Sequence, residues 1–367
     1  MSILIFLIIL SALIIVHELG HFLVARYFGI RVDEFGLGYP PRAAKLFKWK
    51  GADFTLNWLP FGGFVKIFGE NPEEDLTPTS STKDMLLSSP SSRRGLGEVD
   101  SFQAKNRGIQ AAVLAAGVFF NLLFAWLLIS LSFMTGIPSP ANPNLPIENP
   151  RTVITLVVPE SPAALSGLKT GDVILYFTPE EATSYIKNSS GAIAFNIERG
   201  KEILRKTITP NEDILPGQRA VGISMETIGT VKLPWHLALW YGMKTTVSLT
   251  ALTTEAIGSL ISKAVVGQAD LGAVTGPVGI VGMVGEIREL GWSYLVTFTA
   301  LLSINLSIIN LLPVPALDGG RLVFVGIESI TRRRIPPRFF NAVNAAGFAL
   351  LVFLMILITV RDVRNIF

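Results

Sequence analysis

Long apolar runs without a charged side chain constrain this chain more than any other feature of its sequence. Three of them have about the length, roughly 20 residues, that a helix needs to cross a bilayer. They are Ala111–Met134, Leu295–Leu312 and Ala342–Val360. A fourth apolar stretch, Ile3–Ala25, opens the chain, and a signal peptide is disfavoured there because no basic segment precedes it and no small-residue cleavage site follows. The sequence therefore predicts four transmembrane helices.

The composition agrees with a membrane protein and excludes several other classes. Charged residues make up 16% of the 367 residues, against about 25% in an ordinary soluble chain. The cysteine count is 0, which excludes a thiolate nucleophile, cysteine-ligated zinc, an iron–sulfur cluster and a disulfide-stapled fold. A formal net charge of +3 is modest and is attributed to cytoplasmic loops rather than to nucleic-acid binding. The predicted partner surface is thus a lipid bilayer, and no nucleic-acid partner is expected.

The apolar runs and the polar stretches between them define the predicted organisation. Its segments are a first transmembrane helix (1–28), a cytoplasmic-side loop (29–108), a second transmembrane helix (109–136), a small domain (150–228), a membrane-surface helix with a Gly-rich segment (229–290), and the third and fourth transmembrane helices (291–320 and 340–361). The predicted fold class is a polytopic α-helical membrane protein with a membrane-associated β-hairpin region and one extracytoplasmic α+β domain.

Two polar stretches contain the predicted strands. Asp33–Glu70 alternates apolar residues with glycine and proline, which predicts short strands or hairpins, whereas Asn71–Asp100 is rich in Ser, Pro, Glu and Thr and predicts a mobile linker. Arg151–Thr227 has the pattern of a small domain. Its predicted strands are Val153–Val158, Val173–Phe177, Phe195–Glu198 and Ile203–Thr209, and its predicted short helix is Ser161–Ser166.

The orientation of the spans depends on Trp235–Ser262. This segment carries Lys244, Glu255 and many Thr, so we interpret it as an amphipathic helix on the membrane surface. The Arg-rich loop Pro313–Asn341 then lies in the cytoplasm by the positive-inside rule, as does Arg26–Gly108, and the small domain lies outside. If Trp235–Ser262 spans instead, the third span reverses, and the two motifs described next lie on opposite faces.

The first apolar run contains an HExxH sequence, His17–His21. Helix positions i and i+4 share a face, so both imidazoles can reach one ion while the glutamate stands beside them to activate a bound water. From Ile3 to His17 a helix rises about 21 Å, which places the motif inside the hydrocarbon, where ionisable residues are costly and mark functional sites. The alternative, a polar patch covered by neighbouring helices, gives no reason for Glu18 between the histidines.

A catalytic zinc ion takes three protein ligands, so a third is needed beside the two histidines. His236 is a poor candidate because it lies in the outward-facing part of the chain. Asp318 is a better one, because it follows the two prolines that end the third span, in a Gly-rich turn at the depth assigned to His17. The alternative is that Asp318 caps a helix beginning near Arg321.

Several motifs together point to a known family. They are HELGHF (His17–Phe22), LPFGGFVKIFGE (Leu59–Glu70), AAGVFFNLLFA (Ala115–Ala125), GLKTGDVI (Gly167–Ile174), TGPVGI (Thr275–Ile280) and NLLPVPALDGGRL (Asn310–Leu322). In this order they resemble the site-2 protease family of intramembrane zinc metalloproteases, specifically its bacterial RseP-type group with a PDZ domain. The resemblance covers the chain nearly from end to end, and the first and last motifs are highly specific.

The resemblance implies roles for individual residues. The implied Zn²⁺ ligands are His17, His21 and Asp318, the implied general base is Glu18, and the implied substrate-binding residues are Asn310, Gly62 and Gly63. The two glycines would belong to a membrane-embedded β-hairpin that pairs with an unwound substrate strand, and an ordinary surface hairpin is the alternative. The implied activity is regulated intramembrane proteolysis at the inner membrane, with the active site towards the cytoplasm. Its substrates would be single-span membrane proteins, such as trimmed anti-sigma factors or remnant signal peptides.

The resemblance has departures, and other functions compete with it. Gram-negative members usually carry two PDZ domains, whereas this chain has room for one, and Ser307 stands where the family more often has glycine, a change expected to be tolerated. The one domain could capture extended peptides or simply exclude bulky ectodomains. A zinc transporter or sensor would use the same ligands without hydrolysis, and a silent scaffold would use only the PDZ domain. Neither accounts for an intact HExxH.

Overall fold

The computed structural model describes residues 1–70, 100–141, 145–200, 202–215, 218–268 and 275–366. Apart from Asp100, the predicted linker at 71–100 lies outside the described residues. The chain divides into two compact units, one formed by Met1–Ser130 with Leu239–Phe367, and the other by Leu131–Ala238.

Helices and strands follow one another along the chain. The first elements are α1 (Ser2–Tyr27), β1 (Val32–Trp49), β2 (Ala52–Ile67), α2 (Arg107–Thr135), β3 (Ile137–Pro140), β4 (Glu148–Val157), α3 (Pro162–Leu165), β5 (Val173–Ile174), α4 (Pro179–Asn188), β6 (Ile193–Arg199) and β7 (Glu202–Ile208). The remaining elements are β8 (Asn211–Leu215), β9 (Gln218–Ala220), β10 (Ile223–Val231), α5 (Trp235–Val265), α6 (Pro277–Leu290), α7 (Trp292–Leu311), α8 (Asp318–Thr331) and α9 (Pro337–Ile366).

Four helices of the described chain, α1, α2, α7 and α9, are long and apolar enough to cross a membrane. The apolar stretches identified in the sequence lie within these helices, apart from Leu312, which follows the end of α7. Helix α5 is 31 residues long but is not among the candidate spans. Its charged side chains, Lys244, Glu255 and Lys263, lower its hydropathy, and its place on a membrane surface stays a prediction.

The segment predicted as the third span, 291–320, consists of two helices rather than one. Helix α7 ends at Leu311, and α8 begins at Asp318. The two prolines between them cannot continue a helix, since proline lacks the backbone N–H that the helix needs. Leu317 occupies the N-cap position and Asp318 is already helical, so the alternative in which Asp318 caps a helix starting near Arg321 is wrong.

The region predicted as short strands or hairpins forms a hairpin, but its two strands, β1 and β2, are long and bent. Glu34 of β1 pairs with Lys66 and also with Asp53, so each strand folds back and four strand segments lie side by side. Glycines at positive φ allow the bends, with φ +82° at Gly38 and +85° at Gly62. Long strands were not predicted because the glycines and prolines of this region are typical turn residues.

The sheet of β1 and β2 rests on α1 through aromatic side chains. Phe22 of α1 is fully buried, and its ring centroid lies 5.7 Å from that of Phe35 and 5.6 Å from that of Phe54. Phe22 directly follows the HExxH sequence. Burial of such rings contributes strongly to packing, so the sheet is fixed next to the histidines.

Two serines join α7 to α2 in the buried interface between these helices. Ser303 Oγ donates a hydrogen bond to the carbonyl of Asn121 at 2.7 Å, and Ser307 Oγ donates to that of Val118 at 2.8 Å. Small residues let the backbones of membrane helices approach closely, and their hydroxyls find partners there. The structure therefore accommodates the hydroxyl of Ser307.

The unit Leu131–Ala238 is built around a six-stranded sheet with strand order β3-β10-β4-β5-β6-β7. Its core includes the fully buried Phe195 and Ile197 of β6. Helix α3 ends before Gly167, which has φ +77°, as the sequence predicts. Helix α4 was not predicted, although Thr178 and Glu181 form a capping box that marks its start.

We expect Arg199→Ala to destabilise this unit by about 1–3 kcal/mol, the usual cost of leaving a buried polar group unpaired. Asp172 is 1% exposed and receives two hydrogen bonds from the Arg199 guanidinium, at 2.7 and 2.8 Å. The variant leaves that carboxylate without its cation. Amide hydrogen exchange of the full chain checks the prediction: β6 should exchange faster, while α1 should be unchanged. Arg151→Ala is the control, because it removes an exposed ion pair with Glu198; equal exchange in the two variants would contradict the prediction.

Candidate metal centre

Helix α1 places two histidines on one face. Residues four apart in an α-helix lie one above the other, and the Nε2 atoms of His17 and His21 are 3.2 Å apart. Both side chains are buried, each 7% exposed. At 1.5 Å per residue, His17 lies about 22 Å along a helix that begins at Ser2. Two ring nitrogens therefore converge within a helix long enough to cross a membrane.

Asp318, the first residue of α8, brings a carboxylate to the same point. Its Oδ2 lies 2.9 Å from Nε2 of His17 and 3.4 Å from Nε2 of His21. The potential ligand atoms of the three residues all lie within 4.8 Å of one another. Two imidazole nitrogens and one carboxylate oxygen form a donor set of the kind found in catalytic zinc sites, which keep a fourth position open for water. The residues present therefore fit a zinc ion.

Glycines make this convergence possible. A Cβ atom on Gly117 of α2 would lie 2.5 Å from Nε2 of His21 and 2.7 Å from Nε2 of His17. A Cβ atom on Gly20 would lie 2.5 Å from the carbonyl oxygen of Ala116. Helices α1 and α2 therefore touch at glycine, and the imidazoles occupy the space that a side chain would otherwise fill.

The protein also prepares the ligands themselves. His21 Nδ1 lies 2.8 Å from the carbonyl oxygen of Val113, a partner that holds the ring with Nε2 towards Asp318. An aspartate carboxyl ionises well below neutral pH. Metal ligands must be deprotonated, and a carboxylate of this kind meets that condition at neutral pH.

The three residues open onto a cavity of about 630 Å³. Its lining consists of His17, Glu18, His21, Glu34, Pro40, Gly63, Phe64, Val65, Lys66, Ile67, Glu70, Ala316, Asp318 and Arg321. Glu18 lies beside Gly63, where a Cβ atom would be 3.6 Å from its Cγ. The Arg321 guanidinium forms an ion pair with Glu70 in the same wall. The cavity thus brings HExxH, the Asp318 turn and one strand of the sheet together.

Five consecutive residues of β2, Gly63–Ile67, line the cavity. Side chains of a strand alternate between its two faces, so a run of neighbours meets the cavity only if the strand's edge is turned towards it. The pairing is consistent with this, since these residues pair with Val32–Leu37 of β1. An edge strand turns one row of backbone N–H and C=O groups towards whatever enters the cavity.

Other residues singled out in the sequence are not brought to this lining. Asn310 lies one residue before the end of α7, and Gly62 supplies the bend before the edge strand, but neither is among the residues that line the cavity. His236 is exposed and contacts Trp235 edge-on within the other unit. Glu34 and Arg321 line the cavity but were not predicted. Arg321 could have been found, because it follows Asp318-Gly-Gly within the same motif.

A chain with candidate membrane spans, an HExxH helix and an aspartate converging on its histidines has the features of a membrane metalloprotease. The family model described as Peptidase family M50 matches residues 5–354, and the chain belongs to that family. A Clostridium perfringens protein classed by name among the zinc metalloproteases is 35% identical, over 96% of each chain.

Further relatives cover the chain equally well. The zinc metalloprotease RasP of Geobacillus kaustophilus is 30% identical, over 100% of this chain and 98% of its own length. A Nostoc protein, also classed by name among the zinc metalloproteases, is 33% identical, over 100% of this chain and 97% of its own. With the family match, these relatives identify the chain as a zinc metalloprotease of a membrane family.

Proposed function

We propose that this zinc metalloprotease hydrolyses peptide bonds within transmembrane segments of other proteins. The observation that carries the proposal is the place of HExxH, about 22 Å along an apolar helix long enough to span a membrane. Ionisable residues at such a depth are expensive and are functional by default. A protease that cuts only extramembrane loops would not need its HExxH sequence at that depth.

His17, His21 and Asp318 would hold the zinc ion, as their converging ligand atoms suggest. When bound, zinc polarises the scissile carbonyl and lowers the pKa of a water towards about 7. Glu18 takes the proton of the attacking water and delivers it to the nitrogen of the departing peptide, as a general base and then a general acid. Glu18 lines the same cavity as the three ligands, which supports this role.

The edge of β2 would hold the substrate in an extended form. A peptide bond within a transmembrane helix is protected by its own hydrogen bonds, so the helix must unwind before it is cut. An unwound segment added along Gly63–Ile67 recovers backbone hydrogen bonds from the strand. Gly62 bends the chain into this edge, Gly63 leaves space beside Glu18, and Asn310, at the end of α7, would help to hold the segment.

The proposed location is the cytoplasmic (inner) membrane of a bacterium. The Arg-rich turn between α8 and α9 favours a cytoplasmic position for Asp318 and for the loop that contains β1 and β2. The unit Leu131–Ala238, proposed to be a PDZ domain, would then lie outside the cytoplasm. The proposed substrates are single-span membrane proteins, among them trimmed anti-sigma factors and remnant signal peptides.

The test is cleavage of a tagged single-span protein by the purified enzyme in lipid vesicles, with the cut site located by mass spectrometry. We expect a cut inside the apolar segment, and we expect it to disappear with a zinc chelator and with Glu18→Gln. A matched substrate with an all-leucine span, which resists unwinding, should be cut more slowly. Cuts confined to the extramembrane parts, or cleavage that survives the chelator, would contradict the proposal.

A further inference from the structure

A buried asparagine of α2 contacts the ring of His17 on the side away from the other ligands. Asn121 is 0% exposed, and its Nδ2 lies 3.2 Å from Nδ1 of His17. Its Oδ1 has no hydrogen-bond partner among the described residues. A buried carbonyl oxygen without a partner is costly and requires an explanation.

The metal-binding role of His17 supplies an explanation for this unpaired oxygen. Its Nε2 points towards Asp318 and His21, so this nitrogen needs a free lone pair to bind a metal. A neutral imidazole with a free lone pair on Nε2 carries its proton on Nδ1, which is then a donor. An amide nitrogen cannot accept that hydrogen bond, whereas an amide oxygen can.

The two orientations of an asparagine amide differ by a 180° rotation and are assigned from the hydrogen bonds they make. Rotation of the Asn121 amide places Oδ1 next to Nδ1 of His17. The contact with Nδ1 of His17 decides between the two orientations. Only the rotated amide is compatible with a metal on Nε2.

We propose that Asn121 is a positioning residue that accepts the hydrogen bond from Nδ1–H of His17. It does for His17 what the carbonyl of Val113 does for His21, which has the matching contact at 2.8 Å. The backbone of Asn121 is in turn fixed, because its carbonyl accepts the hydrogen bond of Ser303. The proposal rests on the metal-binding role of His17 stated above.

The test is the zinc dissociation constant of the detergent-solubilised full chain, measured by competition with a chelator. Loss of a partner behind a metal-binding histidine typically weakens the metal 10- to 100-fold, and we expect a loss of that order in Asn121→Leu. Asn121→Asp keeps an acceptor oxygen, so its loss of zinc affinity should be about threefold or less, well below the loss expected for the leucine variant. If the leucine side chain prevents folding, Asn121→Ala tests the same prediction.

Ser307→Ala is the matched control, because it removes a hydrogen bond between α7 and the carbonyl of Val118 in α2 but leaves Asn121 and its contacts in place. Its zinc affinity should equal that of the wild type. Wild-type affinity in both Asn121→Leu and Asn121→Ala would overturn the proposal, as would an equal loss in Asn121→Asp and Asn121→Ala. If instead the wild-type chain binds no zinc, the metal-binding role itself fails, which is a different result.

Discussion

Glu18→Gln should lower kcat/KM by about 10³-fold or more while the protein keeps its zinc. General acid–base catalysis by one side chain typically contributes 10²- to 10⁴-fold, and the amide of glutamine cannot accept a proton. The substitution preserves size, and Glu18 is not one of the three residues whose ligand atoms converge. The effect should therefore fall on the chemical step and leave the metal in place.

Two measurements on one preparation check this expectation. Metal analysis of the purified variant should give the wild-type zinc content, and cleavage of a single-span substrate should be close to background. Glu226→Gln, an exposed residue of β10, is the control for the loss of one carboxylate elsewhere in the chain. Normal turnover by Glu18→Gln would show that Glu18 is not the general base. Loss of zinc would show that Glu18 instead maintains the structure of the metal site.

Local patterns in the sequence were sufficient for the four candidate spans and for part of the site. Apolar runs predict the four candidate spans because hydropathy needs no knowledge of tertiary contacts. The spacing of His17 and His21 places both on one face for the same reason, since helical geometry is local. The pairing of HExxH with Asp318 came from the depth assigned to each motif, and the structure brings the three residues together.

What the sequence did not reveal depends on contacts between distant segments. Glu34 pairs with both Lys66 and Asp53, and no local pattern distinguishes that folded-back sheet from simple hairpins. The contact between Asn121 and His17 joins residues 104 positions apart. Asn121 reads as an ordinary polar residue in an apolar run until the packing of α2 on α1 is known.

Gly117 shows how a residue without a side chain can decide whether the site forms. We expect Gly117→Ala to weaken zinc binding by about 10- to 100-fold, because overpacking costs about 1–3 kcal/mol and each 1.4 kcal/mol is tenfold in affinity. The new Cβ atom would lie 2.5 Å from His21 Nε2 and 2.6 Å from His17 Cε1, closer than such atoms can approach. His21 cannot retreat without losing its contact with the carbonyl of Val113.

Activity should fall further than zinc affinity in Gly117→Ala, since a displacement of about 1 Å can cost 100-fold in rate even when the metal is retained. Chelator competition and cleavage of a single-span substrate measure the two effects. Gly326→Ala is the matched control: it lies within α8, a Cβ atom there meets nothing within 4 Å, and alanine favours the helix. Equal zinc affinity in Gly117→Ala and Gly326→Ala would contradict this prediction. It would mean that α2 does not approach the two histidines as closely as the structure shows.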